Sequence, residues 1–94
     1  MAIAVKFVGV LRHVLGVNEL ALDLSSCRSL RGLLDELVRE KPKFESILID
    51  RQLKDPRLNA LVLVNGREIS VLKGLDTTLD DGDEIVFIPV VHGG

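Results

Sequence analysis

The sequence has no tryptophan and no tyrosine, and its three phenylalanines are scattered along the 94 residues. Proteins that bind single-stranded nucleic acid stack bases on aromatic side chains, and most nucleic-acid-binding domains carry a basic stripe. The net charge here is −2, with acidic and basic residues mixed along the chain. We therefore expect no nucleic-acid partner.

Cysteine is almost absent, and long apolar runs are missing. The single cysteine, Cys27, excludes an internal disulfide framework and fits a reducing compartment. No apolar run approaches the roughly 20 residues that span a bilayer. The start, Met1–Lys6, lacks the basic and then hydrophobic regions of a secretory signal. These absences predict a cytoplasmic protein with no membrane partner.

Groups able to perform catalysis are also few. Cys27 precedes a predicted helix, but a lone cysteine without catalytic neighbours is more often structural. His13 and His92 lack the spacing of metal ligands. His92 could accept a proton, although a histidine in a chain tail is usually just solvated. No nucleophile, base and orienting residue form a set, so we expect no metal site and no independent catalysis.

The composition is that of one globular domain, and its first half contains clear patterns. Apolar and polar residues alternate over residues 3–8 and again over residues 19–24, which is typical of half-buried strands. A short helical turn over Val10–Leu15, capped by Gly16, would join them as an antiparallel hairpin with a wide loop.

The next segment has the helical period. Ser29 is a suitable N-cap, Pro42 stops the helix, and Asp35 and Arg39 are spaced as a favourable i,i+4 ion pair. The apolar stripe falls at i, i+3, i+4, i+7 and i+8. Its residues are Leu30, Leu33, Leu34, Leu37 and Val38.

The second half of the sequence has less regular patterns. Residues 43–58 receive no assigned role, although Phe44, Ile47 and Leu48 fit a helical turn and Asp55–Pro56 fits a loop. Ala60–Val64 reads as a strand, Asn65–Gly66 as a tight turn and Arg67–Val71 as a short returning strand. A loop over residues 72–79 and a closing strand over residues 84–88 complete the set.

One helix covers only one face of such a sheet, yet the strands at residues 60–64 and 85–88 are apolar on both faces. A contiguous exposed apolar patch on a small domain usually marks an interaction surface. The alternative is that residues 44–58 or a second copy of the chain cover it. The residues predicted to form this partner interface are Val8, Leu61, Leu63, Val86, Ile88 and Pro89.

The end of the sequence has an unusual order of residues. Asp81–Gly82 favours a turn, a short apolar strand follows, and Pro89 removes a backbone donor, so that sheet pairing should stop there. Val90 and Val91 favour an extended backbone, whereas Gly93 and Gly94 carry no side chain. We expect a domain over residues 1–89 and a narrow tail over residues 90–94 that enters a channel in another protein. The alternative is a frayed chain end.

These features together resemble the ubiquitin-like β-grasp fold and the MoaD/ThiS-like sulfur-carrier family, which includes the small subunit of molybdopterin synthase. The resemblance implies an α+β fold with a mixed sheet of four to five strands and one main helix on one face. Many such small subunits have a second proline where this chain has Val90. The matching segments are Leu11–Arg12, Gly16, Leu63–Gly66, Asp81–Phe87, Pro89 and Gly93–Gly94.

The resemblance also implies a function. Gly94 would bear an acyl-adenylate and then a thiocarboxylate, Gly93 would give clearance in the channel, and Val90, Val91 and His92 would complete the tail. The chain would be a carrier and not an enzyme, with no stably bound cofactor. Its partners would be an E1-like adenylating enzyme that uses ATP and Mg, a persulfide sulfur donor, and the large subunit of molybdopterin synthase or another sulfur acceptor.

Several alternatives stay open at this point. The chain could be a modifier conjugated to lysines through Gly94, a sulfur carrier for thiamine or tRNA thiolation, or a plain interaction module. The acidic residues near the end could meet a basic patch on the activating enzyme or simply form a turn. These residues are Asp80, Asp81, Asp83 and Glu84.

Overall fold

The structure is a computed structural model that describes residues 2–24, 28–48 and 60–90. It begins with the predicted hairpin, in which β1 (Ala2–Phe7) pairs antiparallel with β2 (Glu19–Asp23). Alternate residues of β1 are buried, as its period of two requires. Between the strands, α1 (Val10–Leu15) ends at Gly16, whose φ of 77° and N–H bond to the Arg12 carbonyl, 3.0 Å, confirm the predicted cap.

The main helix, α2 (Leu30–Glu40), also forms as predicted. The Gly32 N–H donates to the Ser29 hydroxyl at 3.2 Å, and the apolar stripe faces the core. The helix ends just before Pro42, which opens α3 (Pro42–Leu48). The predicted pairing of Arg39 with Asp35 is wrong, because Arg39 Nη1 instead lies 2.9 Å from Glu36 Oε1, a longer carboxylate one turn back.

The second hairpin is shorter than its pattern indicated. Its first strand, β3 (Ala60–Val64), turns at Asn65–Gly66, where φ values of 51° and 82° fit a two-residue hairpin turn. Only β4 (Arg67–Glu68) returns along it. The predicted strand over residues 67–71 is wrong beyond Glu68, because the Glu68 carboxylate accepts the Ser70 N–H at 2.7 Å and starts a 3₁₀ turn over Ile69–Val71.

The closing strand, β5 (Glu84–Pro89), lies in the middle of the sheet. The strand order is β2-β1-β5-β3-β4, with β5 parallel to β1 and antiparallel to β3. The helix α2 packs on one face of this sheet, and the hydrophobic core lies between them. There the rings of Phe7, Phe44 and Phe87 lie 5.1 to 6.2 Å apart between centroids. The predicted mixed sheet with one main helix on one face is confirmed.

The remaining predictions concern segments outside the strands and α2. The segment at residues 72–79, predicted as a loop, contains a 3₁₀ turn over Gly74–Asp76. The Asp55–Pro56 turn lies outside the described residues, whereas the helical turn at Phe44 is confirmed as α3. Among the described helices, none has the length and apolar character needed to cross a membrane.

Candidate functional site

The sheet face opposite α2 carries the predicted apolar residues. Leu61 pairs with Ile88 and Leu63 with Val86, so these four side chains point to one side of β3 and β5. Their sequence neighbours Val62 and Phe87 are fully buried on the other side. We call five of the predicted residues the apolar face: Val8, Leu61, Leu63, Val86 and Ile88. Pro89, predicted with them, is in register with the buried Ala60, so its ring lies on the Phe87 side of the sheet, at the end of β5.

The apolar face is accessible to a partner. Val8 is 42% exposed and Leu61 38% exposed, while the other three residues are half-buried. A helix packed on this face would bury these side chains, but the described helices pack against the other face of the sheet. Val8 is held beside β5 because its N–H donates to the Phe87 carbonyl at 3.1 Å.

The tail begins at the edge of the apolar face. Pro89 is the last residue of β5 and lies opposite Ala60 of β3. Val90 follows and is 42% exposed. We call Pro89 and Val90 the tail root. The boundary predicted between a domain over residues 1–89 and a tail over residues 90–94 stays a prediction, as do Val91, His92, Gly93 and Gly94, which lie outside the described residues.

The first helix adds two exposed residues that the sequence analysis missed. Val10 is 59% exposed and Val14 39% exposed, one helical turn apart, whereas Leu11 and Leu15 are buried. The signal was present, because Val10 and Val14 share an i,i+4 spacing and lie about 100° around the helix from the two leucines. Val10 directly follows Gly9, which lies next to Pro89, so the start of α1 is close to the tail root.

The opposite end of β5 carries the acidic residues, and there the fold uses the carboxylates. Asp81 Oδ1 accepts the Ala2 N–H at 2.7 Å. Asp83 accepts the Asn65 side-chain amide through Oδ1 at 2.9 Å and the Asp80 N–H through Oδ2 at 2.8 Å. Of the two interpretations open for this segment, the structure supports the turn.

A polar pair marks the boundary between the two ends. Lys6 lies opposite Val86 across β1 and β5, and its Nζ lies 2.9 Å from Glu84 Oε2. The hydrogen bond to Glu84, then the charge of Glu84 and that of Glu19, raise the pKa of Lys6 above its usual 10.5. Lys6 therefore stays protonated and limits the apolar face on its β1 side.

The described residues form no cluster of potential metal ligands. Within residues 2–24, 28–48 and 60–90, no three histidine, cysteine or acidic side chains come together as a metal site. His13 is exposed in the last turn of α1. Cys27, which the sequence left without a role, lies outside the described residues.

The arrangement of these elements is that of the ubiquitin-like β-grasp class, as predicted. The chain belongs to the ThiS family, whose model it matches over residues 5–94. This confirms the predicted membership of the MoaD/ThiS-like family.

Individual relatives support both the family and the fold. The chain is 32% identical to small archaeal modifier protein 3 of Haloferax volcanii over 94 residues, covering 100% of both chains. It superposes on the Urm1 structure from Trypanosoma brucei with a TM-score of 0.80 and 32% identity, covering 99% of this chain and 95% of that one. A Pyrococcus furiosus structure assigned as molybdopterin converting factor, subunit 1, gives 0.74 and 26%, covering 97% and 99%.

These similarities define the general kind of protein. The chain is a member of a family of small ubiquitin-like sulfur carriers and modifiers. Its relatives are carrier and modifier proteins, in agreement with the carrier role predicted in place of independent catalysis.

Proposed function

We propose that the chain is a sulfur carrier whose terminal Gly94 carboxylate is activated and converted to a thiocarboxylate, with the molybdopterin precursor as the sulfur acceptor. In this role it is the small subunit of molybdopterin synthase. The observation that carries the proposal is the position of the tail root at the edge of the apolar face. A partner that covers this face also meets the start of the tail.

The reach of the tail fits this geometry. An extended chain spans at most about 3.3–3.6 Å per residue, so residues 90–94 can extend roughly 17 Å from the end of β5. A docked partner can therefore hold the domain at its surface and receive Gly94 in a site well inside it. A tip without side chains passes through a channel that larger residues would block.

The chemistry requires a partner enzyme. A carboxylate is a poor electrophile, so the adenylating enzyme uses ATP and Mg to form the acyl-adenylate and release pyrophosphate. The terminal sulfur of a cysteine persulfide then attacks the acyl carbon and AMP leaves. A second thiol cleaves the resulting S–S bond by forming a disulfide, and the sulfur stays on Gly94 as a thiocarboxylate. The described part of the chain supplies docking and delivery for these steps.

The test is the intact mass of the protein after incubation with its adenylating enzyme, ATP, Mg and a persulfide donor. We expect the mass change of one oxygen replaced by sulfur. The matched control is the chain without Gly93 and Gly94, which keeps the entire sheet and should show no change. If the full chain keeps its unmodified mass while the enzyme is active on another substrate, the proposal is wrong.

Conjugation to lysines is a second candidate. It is favoured by the names of two relatives, a small archaeal modifier protein and Urm1 (ubiquitin-related modifier 1), both 32% identical to this chain. The activation step is the same, but a lysine amine then displaces AMP and forms an isopeptide bond. The last lysine or arginine of the chain is Lys73, so tryptic digestion of cell protein should leave residues 74–94, joined through Gly94, on target lysines if conjugation occurs. Sulfur transfer alone would leave none.

A further inference from the structure

One row of side chains crosses all five strands on the side of the apolar face. Glu19 of β2 lies opposite Lys6 of β1, which lies beside Val86 of β5. Val86 lies opposite Leu63 of β3, and Leu63 lies opposite Glu68 of β4. Residues paired across strands point to the same face, so these five side chains form one line. Its centre belongs to the apolar face, and both of its ends are carboxylates.

The neighbouring rows show what bounds the apolar face in the other direction. Toward the tail root, the next row is apolar, because Leu61 pairs with Ile88 and Val8 is bonded to β5. Away from the tail root, Glu84 lies beside Ala4. The apolar face therefore has a carboxylate at each sheet edge and one at the end opposite the tail root. We call these three residues the acidic border: Glu19, Glu68 and Glu84.

One cation, Lys6, lies in the row that crosses the described strands. Its Nζ is 2.9 Å from Glu84 Oε2. The hydrogen bond to Glu84, the charge of Glu84 and then that of Glu19 raise the pKa of Lys6, so both carboxylates lie close to this ammonium group. One ammonium group cannot neutralise three carboxylates, and the acidic border stays negatively charged at neutral pH.

The carboxylate at the other edge is fixed in place and keeps its charge. Glu68 Oε2 accepts the Ser70 N–H at 2.7 Å and also accepts the Ser70 hydroxyl. Both donors are neutral, so these bonds orient the carboxylate without cancelling its charge. Glu68 is half-buried, and Glu19 at the opposite edge is exposed.

We propose that the acidic border selects the partner of the apolar face. The matching surface of the adenylating enzyme would have an apolar centre flanked on two sides by arginine or lysine side chains. Because neighbouring strands lie about 4.8 Å apart, the four spacings from β2 to β4 place these two sides roughly 19 Å apart. This inference rests on the proposed function, which requires such an enzyme to dock here.

Charges at the rim of an interface act mainly on the rate of encounter and on the rejection of wrong partners. Attraction between opposite charges speeds association, and salt screens it. Charged residues on outer strands also have a different use, since they oppose edge-to-edge association of sheets. The experiment must therefore separate a role in docking from protection of the sheet edges.

The chain offers a matched control on α2. Asp35 and Glu40 are exposed on this helix, which packs on the opposite face of the sheet. The border pair Glu19→Gln with Glu68→Gln and the helix pair Asp35→Asn with Glu40→Gln change the net charge equally. Glutamine at position 68 keeps an oxygen that can accept the Ser70 N–H. Only the border pair removes charge beside the apolar face.

The first measurement is the association rate of each folded variant with the adenylating enzyme, by stopped-flow fluorescence without ATP, at ionic strengths from about 0.01 M to about 1 M. We expect the wild-type rate to fall as salt is added. At low salt, the border pair should associate about fivefold more slowly, with a weaker salt dependence, and the helix pair should stay within about twofold of the wild type. Equal losses in the two pairs would overturn the inference, because only net charge would then matter.

The second measurement is the sedimentation of each variant alone. We expect the border pair to stay monomeric at the concentration used for the rates. If it self-associates while its monomer binds the enzyme at the wild-type rate, the border only protects the sheet edges and the inference is wrong.

Failure of the inference and failure of the proposed function give different results. A wild-type chain that gains sulfur on Gly94 but associates at a rate independent of salt overturns the inference alone. A wild-type chain that does not bind the enzyme at any salt concentration overturns both.

Discussion

The two ends of β5 differ in how their side chains are used. At the Glu84 end, carboxylates accept hydrogen bonds from Ala2, Asn65 and the turn itself. At the Pro89 end, apolar side chains are in part exposed, with Val8 at 42% and Leu61 at 38%. The difference teaches that the acidic residues accept hydrogen bonds within the fold, whereas the apolar residues stay partly open to solvent, as the proposed docking requires.

This division follows from the environment of each group. A carboxylate that already accepts two or more hydrogen bonds must lose them before it can serve a basic partner. An exposed apolar side chain loses only its contact with water on docking, which is favourable in proportion to the area covered. The predictions below test this division.

The largest expected effect is on docking at the apolar end. Val8→Asp places a charge within the proposed contact. Hot-spot residues contribute about 2 kcal/mol or more, so affinity for the adenylating enzyme should fall about 30-fold or more. The matched control is Val71→Asp, at a valine that is 74% exposed on the 3₁₀ turn after β4. Calorimetric titration of both variants checks this, and similar losses would contradict the assignment of the face.

An intermediate effect is expected at the acidic end, and it concerns stability. Asp83→Ala removes the acceptor of two hydrogen bonds, which should lower the free energy of unfolding by about 1.5 kcal/mol. Asp83→Asn keeps one oxygen and should lose about half as much. Urea denaturation measures both. Affinity for the enzyme should stay unchanged, and a weaker affinity in a fully folded variant would instead make the acidic turn part of the docking surface.

The smallest effect is expected at the boundary pair. The pKa of Lys6 is raised by Glu84, so its folded value lies above its unfolded value of about 10.5. The stability that Lys6 contributes is therefore complete below pH 10.5 and is lost as the pH rises through the folded pKa. Urea denaturation should show a difference between wild type and Lys6→Met that is constant near pH 7 and shrinks above pH 10.5.

Two further results would check this last prediction. Glu84→Gln should show the same pH dependence, because it breaks the same ion pair. High salt should reduce the difference at pH 7, since the pair is exposed. A difference that persists unchanged at high pH would mean that Lys6 stabilises the sheet through its aliphatic stem and not through its charge.

Much of the fold could be predicted because local sequence patterns determine it. The alternation in β1, the helical period of α2 and the turn chemistry of Asn65–Gly66 each follow from neighbouring residues. The apolar face was predictable for a similar reason, because strands that are apolar on both sides exceed what one helix can cover.

The parts that could not be predicted depend on contacts distant in sequence or on competing local bonds. The contact between Gly9 and Pro89 joins two ends of the chain, and no spacing in the sequence indicates it. The shortening of β4 reflects a bond between Glu68 and Ser70 that competes with the ladder. The exposed pair Val10 and Val14 could have been found by assigning the two faces of α1.

The central place of β5 has a consequence for how the protein assembles. Without this strand, β1 with β2 and β3 with β4 would be two separate ribbons, and an isolated two-stranded ribbon is at best marginally stable in water. A polypeptide still lacking its last strand therefore cannot display a finished surface to an enzyme. The apolar face therefore exists only once β5 has been added, and a chain cut before residue 84 should lack it.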